Sequence, residues 1–378
     1  MHQVKIVHAA DFHLASTFGG LSPEKAELRR EELKLTFQSV IDLALAENAQ
    51  LLLLAGDLFE HSRADRELMH FLNQGFARLP ARVFITPGNH DPGIATSPYW
   101  LYRWSDNVHI FHEEFTAVEL PELDCVVYGL GFAHFAIKDP LLAGLRIADP
   151  DKLNLVVLHG EDHSSPLAGG NSNYLPFTAA NLVQAGADYY ALGHYHRPKI
   201  VWQDASRVRA CYAGSPEPLG FSEEGEHGVF CGTVGKESTD LRFVPLNQRT
   251  YRTVELRCNG QEFANQLVQL AVSSIPQAER QRDIFRLVYT GEVEPSLEFD
   301  RNKLEAVLAP YFFSCRTEND TVPRYDLNGF DRKTARGMFV ARMETMLANA
   351  VTEEEREIMR QSLYFGLDAL NLQKVVER

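Results

Sequence analysis

Short apolar runs of strand length, each ending on polar residues, dominate the hydrophobic pattern of this chain. Val4–Ala10, Leu51–Ala55, Arg82–Thr86, Leu153–Leu158 and Tyr189–Leu192 are almost unbroken β-rich runs, which predicts strands. Helical patterns separate them. Ser22-Pro23 supplies an N-cap and a first-turn proline. Leu33, Phe37, Val40, Ile41, Ala44 and Leu45 then recur at helical spacing. A second helix is predicted after Asp57, with Leu68, Phe71, Leu72 and Phe76 as its apolar stripe. That stripe is either core surface or the face of a homodimer. The pattern turns β-rich between Phe111 and Phe132. Pro198–Trp202 with Val208–Ala213 reads as a hairpin, and Gly228–Val234 and Leu241–Pro245 as further strands.

This alternation predicts a layered α/β domain over residues 1–247. A strand at Arg252–Arg257 opens a small α+β domain over 250–315. From Asp331 the pattern is helical, giving a tail over 331–378 whose run Glu353–Glu355 suits a helix start. A chain of 378 residues is long for one core, so more than one domain is expected. The apolar runs are all too short to span a bilayer, and the first strand begins too early for a signal peptide to precede it. Five cysteines lack metal or redox spacing, consistent with free thiols in a reducing cytoplasm.

The net charge of −14 argues against a general nucleic-acid binder. Its distribution changes that picture. Residues 1–250 hold 20 Lys and Arg against 31 Asp and Glu, whereas residues 251–378 hold 17 against 20. Part of the first excess is candidate metal ligands, whose charge bound cations would offset. Arg316, Arg324, Arg332, Lys333, Arg336 and Arg342 make one stretch positive, as a solvated helix face or as a contact for phosphate or a partner.

The chemistry lies at the ends of the five runs: Asp11-Phe12-His13, Gly56-Asp57, Gly88-Asn89-His90-Asp91, His159-Gly160 and Gly193-His194-Tyr195-His196. The carboxyl ends of strands are where α/β sheets bind ligands. One Asp or His there is ordinary, but seven potential ligands in five loops are not. Carboxylate and amide oxygens with imidazoles and no thiolate suit a pair of Mn-, Fe- or Zn-type ions. Asp11 and His13 can chelate one ion, and Asp57 can bridge two. Asn89 adds a neutral oxygen, and His159, His194 and His196 add imidazoles. A side chain at position 56 would crowd the backbone's approach to the site.

This set of words resembles the calcineurin-like metallophosphoesterase superfamily over roughly residues 1–245. The resemblance implies a four-layer α/β/β/α sandwich. It implies one ion on Asp11, His13, Asp57 and His196, and a second on Asp57, Asn89, His159 and His194. It further implies in-line attack of water on phosphorus, with His90 stabilising the transition state or protonating the leaving oxygen and Asp91 orienting His90. The longer words His8–Leu14, Gly56–Phe59, Pro87–Pro92, Ala191–His196 and Gly214–Glu217 are similar to SbcD-type DNA-repair nucleases, and length and N-terminus resemble the YhaO type more nearly still.

That narrower resemblance implies a manganese-dependent, mainly exonucleolytic DNA nuclease partnered by an SMC-like (SbcC-type) ATPase. The small domain would cap the site and guide DNA, and the helical tail would dock on the ATPase. Many relatives carry His directly after Gly-Asp-Leu-Phe, implicated in exonuclease action on duplex ends; here Glu60 stands there and His61 follows, which leaves the exo- and endonuclease balance open. Arg63, Arg103 and Arg197 are candidate phosphate contacts or surface ion pairs. Phe12 and Tyr195 are expected to pack around the site rather than stack on bases. A small-molecule phosphoesterase on the same scaffold is the alternative, and an inactive scaffold the third reading.

Overall fold

A computed structural model describes residues 3–164, 172–204, 207–261 and 263–372. The last residues of the expected tail, 373–378, lie outside the described residues. Two compact units divide the chain, Met1–Thr250 and Tyr251–Arg378.

The first unit carries strands β1 (Gln3–Ala9), β2 (Leu51–Leu54), β3 (Arg82–Ile85), β4 (Val108–Ile110), β5 (Thr116–Leu120), β6 (Cys125–Leu130), β7 (Leu153–His159), β8 (Tyr189–Gly193), β9 (Lys199–Asp204), β10 (Arg207–Tyr212), β11 (Gly228–Gly235) and β12 (Thr239–Pro245). Its helices are α1 (Pro23–Ala46), α2 (Arg66–Ala77), the single turn α3 (Pro98–Leu101) and α4 (Ala179–Ala185). The strands form two six-stranded sheets, β12-β11-β1-β2-β3-β4 and β5-β6-β7-β8-β10-β9. β1 to β4 run parallel, as do β6 to β8 and β10. β9 and β10 are the expected antiparallel pair, and β11 pairs antiparallel with β1.

The period of two explains why the strand runs are apolar throughout. Val4, Ile6, Leu51 and Leu53 face the second sheet, meeting Val127, Leu155, Val157 and Tyr189. Their neighbours Val7, Ala9, Leu52 and Leu54 face α1 and α2 through Leu33, Phe37, Ile41, Leu72 and Phe76. On the far side, Val156, Leu158, Tyr190 and Leu192 meet Leu182 and Ala185 of α4. The result is the layered α/β/β/α arrangement. Helix α1 starts as its sequence dictates, with Ser22 accepting from the Lys25 amide and Pro23 in the first turn.

The stripe Leu68, Leu72 and Phe76 is fully committed to the core, with Phe71 packed on Phe37. It therefore offers no face to a second copy, and the dimer reading of that stripe fails. Phe12 likewise packs on Phe37, and Tyr195 packs edge-on against Tyr212. The five cysteines are free, four of them buried.

The second unit holds strands β13 (Tyr251–Gln261), β14 (Ile284–Val293) and β15 (Ser314–Pro323), all parallel in that order. Helices α5 (Ala264–Ser274), α6 (Gln277–Arg282) and α7 (Arg301–Leu308) connect them. Leu267, Ala271, Leu304 and Leu308 cover Leu256, Phe285, Leu287 and Tyr289. Helices α8 (Ala335–Asn349) and α9 (Glu353–Leu372) close the unit around Val340, Met343, Leu363 and Leu367. No helix among the described residues is long and apolar enough to cross a membrane.

One buried ion-pair network pins α1 to the loop after β10. The fully buried Arg29 guanidinium donates at 2.6 Å to Glu217, at 2.6 Å to Glu32 and at 2.9 Å to the Pro218 carbonyl. Thr36 and the Gln248 amide complete the Glu217 carboxylate. Removing one partner of such a pair leaves a buried charge uncompensated. Arg29→Ala is expected to cost about 3–5 kcal/mol in urea unfolding of the full chain, and Glu217→Ala a similar amount.

Candidate metal centre

The five polar words meet at one edge of the two sheets. The loop after β1 runs alongside the loop after β2: the Asp11 amide donates to the Gly56 carbonyl at 3.0 Å and the His13 amide to the Asp57 carbonyl at 2.9 Å. Asp11, His13 and Asp57 take left-handed backbone angles, with φ of 53°, 46° and 52°. These are costly for non-glycine residues and common at functional sites. Gly56 and Gly88 are required by space. A Cβ on Gly56 would lie 2.3 Å from His159 Nδ1, and one on Gly88 would lie 2.2 Å from Asp57 Oδ1.

Each inward-turned imidazole is held from behind through Nδ1. His13 Nδ1 meets Glu60 Oε1 at 2.8 Å, His196 Nδ1 meets Glu223 Oε1 at 2.8 Å, and His159 Nδ1 meets the Ala55 carbonyl at 2.9 Å. All three partners are acceptors, so each Nδ1 carries the proton and each Nε2 presents a lone pair. The Nε2 atoms converge on other acceptors. His13 Nε2 and His196 Nε2 are 3.1 Å apart, and His159 Nε2 lies 3.0 Å from Asn89 Oδ1 and 3.3 Å from Asp57 Oδ2.

Lone pairs aimed at lone pairs in a buried site need either extra protons or cations between them. Without a cation, protons take that place. Burial opposes protonation of His159 and His196, but Asp57 beside the first, and Glu223 and Asp11 beside the second, push both up to about 9. Burial also opposes ionisation of Asp57, yet His159 and His13 hold its carboxyl well below the usual range. A divalent cation replaces those protons, so the donor set fits metal.

Asp11, His13 and His196 form one three-donor group, and Asp11, Asp57 and His159 another, with donor atoms all within 4.8 Å. A third joins His13, Asp57 and His90. Asp11, His13 and Asp57 each occur in two of the three, so the groups adjoin one another. Asn89 stands beside His159. The His194 ring joins none of these groups among the described residues. It lies with its centroid 5.3 Å from that of His159 and 5.0 Å from that of Tyr174, while its amide donates to Asp11 at 3.1 Å. Burial keeps His194 low, at about 3, hence neutral and able to coordinate.

His90 is half exposed and stands edge-on to His13, their centroids 4.6 Å apart. Its Nδ1 meets Glu60 Oε2 at 3.1 Å. That hydrogen bond raises its pKa against burial, with Asp57 adding to the rise. The expected orienting residue, Asp91, makes other contacts. Fully buried, it accepts from the Gly88, Asp57 and Leu58 amides and, at 2.6 Å, from the Tyr99 hydroxyl. Asp91 turns inward because those amides point at it, and it ties the Asp57 loop to the His90 loop. Glu60 takes the place behind His90.

Glu60, Glu223 and Tyr99 are the residues that sequence reasoning missed as parts of the site. Glu60 carried a signal, since it directly follows the Gly-Asp-Leu-Phe word. Glu223 lies 27 residues beyond its histidine in an ordinary acidic loop. His61 sits in a one-turn helix (His61–Arg63) with its ring 6.0 Å from Phe135. Arg197 donates to the Ser222 carbonyl, and Arg63 and Arg103 are exposed.

The family model for calcineurin-like phosphoesterases matches residues 4–198. The chain is 33% identical to the uncharacterized metallophosphoesterase YhaO of Bacillus subtilis over 237 residues, 59% of this chain and 56% of that protein. It is 26% identical to the DNA double-strand break repair protein Mre11 of Sulfurisphaera tokodaii, over 69% of this chain and 67% of that protein. It is 27% identical to the SbcD component of the SbcCD nuclease of Rhodobacter capsulatus, over 73% of this chain and 78% of that protein. The match to the first thus spans little more than half of its length.

Carboxylates behind metal-ligating imidazoles typically contribute about 10- to 100-fold in metal affinity. Glu223→Gln is therefore expected to weaken Mn²⁺ binding of the chelator-stripped protein by at least tenfold in calorimetric titration.

Proposed function

The chain belongs to the calcineurin-like phosphoesterase family of metal-dependent hydrolases, and we propose that it is a DNA-repair nuclease, mainly an exonuclease, that works with an SMC-like ATPase. The observation that carries the hydrolytic chemistry is the convergence of imidazole Nε2 atoms and carboxylate oxygens around Asp11 and Asp57. In this reading Asp11, His13, Asp57 and His196 hold one ion, and Asp57, Asn89, His159 and His194 the other, with Mn²⁺ as the native metal. When bound, such ions polarise a phosphodiester, neutralise charge that develops on its oxygens and acidify water.

The protein's own groups do the rest. Glu60, Glu223 and the Ala55 carbonyl hold the imidazole edges inward. Asp91 fixes the two loops that carry Asp57 and Asn89-His90. With Nδ1 committed to Glu60, His90 has Nε2 available to give a proton to the departing sugar oxygen.

A DNA substrate is supported by the relatives named as a break-repair protein and a nuclease component, and by the second unit beyond the family-matched region. Residues 250–315 would guide DNA. The segment 331–378 would dock the ATPase: α8 and α9 bury one face between them yet expose Met338, Ile358 and Phe365. Five free thiols suit a cytoplasmic protein.

End-labelled linear duplex DNA with Mn²⁺ tests the reading. The wild-type chain is expected to shorten the labelled strand progressively, and Asp57→Ala to lose at least a thousandfold. Inert DNA alongside Asp57-dependent turnover of a small phosphodiester would replace the DNA reading with a small-substrate one.

A further inference from the structure

Glu60 touches two imidazoles at once, with Oε1 at 2.8 Å from His13 Nδ1 and Oε2 at 3.1 Å from His90 Nδ1. Its main chain is tied to the same two segments. The Glu60 amide donates to the Leu14 carbonyl at 2.9 Å, one residue past His13, and the His61 amide donates to the His90 carbonyl at 3.0 Å. The carboxylate is therefore clamped between a metal ligand and the candidate proton donor, with less than a quarter of its side chain exposed.

We propose that Glu60 is a positioning residue that sets one protonation pattern on both rings and so couples capture of the ion at His13 to presentation of His90. The inference deepens the metallophosphoesterase reading and rests on it. An ionised carboxylate only accepts, so both Nδ1 atoms must donate to it. His13 Nε2 is then left as a lone pair facing His196 and Asp57, and His90 Nε2 is left for the substrate. One residue thus fixes two tautomers, on rings that already stand edge-on to each other.

A glutamine at this position has the same shape but the wrong chemistry. Its carbonyl accepts from one ring, while its amide must donate to the other. The second ring then carries its proton on Nε2. If that ring is His13, the proton occupies the lone pair an ion needs. If it is His90, that ring no longer donates from Nδ1 to a carboxylate, and in either arrangement both rings lose the negative charge behind them, which weakens His13 as a ligand and His90 as a donor. Aspartate keeps the acceptor character but is a methylene too short to reach both rings.

The test uses the full chain, stripped of metal by chelation, with Glu60→Gln and Glu60→Asp. Mn²⁺ is titrated by calorimetry, and turnover at saturating Mn²⁺ is then compared on two phosphodiesters. Bis(p-nitrophenyl) phosphate releases a stabilised phenolate and needs little proton donation, whereas a thymidine dinucleotide releases an alkoxide. Glu60→Gln is expected to weaken Mn²⁺ at least tenfold, and to slow the dinucleotide at least tenfold more than the nitrophenyl ester. Glu60→Asp is expected to recover part of one effect only.

Wild-type Mn²⁺ affinity in Glu60→Gln overturns the proposal. So does an equal loss on both esters, which marks a merely structural residue. The titration involves no substrate, so failure to degrade DNA would count against the nuclease reading alone.

Discussion

Everything at the candidate metal centre depends on how closely the two sheets approach at the carboxyl ends of β1, β2 and β8. Gly193 sits at that meeting point: a Cβ there would lie 1.8 Å from the Ala55 carbonyl oxygen and 2.9 Å from Ala10 Cβ. Small residues on three strands therefore set the gap. Asp11, His13, Asp57 and Asn89 come from the first sheet, and His159, His194 and His196 from the second. A wider gap would leave two half-sites, each with too few donors for an ion. Beneath the gap, the fully buried His8 joins the sheets. Its Nε2 meets the Leu192 carbonyl at 3.1 Å and its Nδ1 meets the Tyr189 hydroxyl at 2.9 Å. Burial pulls His8 down to about 3, so this link is neutral and adds no charge below the carboxylates.

The strand skeleton was legible because each strand is covered on both faces and so reads as a continuous apolar run. The meeting of the polar words at one edge was legible because they stand directly at the ends of those runs. Their supports were not. Glu60 and Glu223 reach histidines 47 and 27 residues away, and nothing in local periodicity records such a pairing. The misreading of Asp91 has the same origin. Adjacency in sequence suggested His90, but successive side chains in a tight loop diverge, and Asp91 turned toward buried amides and Tyr99. The Leu68–Phe76 stripe shows the opposite limit. Helical spacing identifies an apolar face, but only the packing of α1 shows that the face is already covered.

Local rules are broken repeatedly where the chemistry is. Asp11, His13, Asp57 and His194, four of the nine non-glycine residues with positive φ among the described residues, stand in these loops beside the mutually facing Nε2 atoms of His13 and His196. The surrounding layers are built conventionally, with capped helices and strands filled on both sides. A rigid scaffold of that kind can hold strained loops that would relax in isolation.

Strain carried by four of the candidate donors would make an ion part of the folding equilibrium. A left-handed non-glycine residue costs on the order of 1–3 kcal/mol, and a ligand that binds only the folded state repays such a cost through RT ln(1 + [L]/Kd). A bound divalent ion would then hold the chain folded as well as equip it for chemistry.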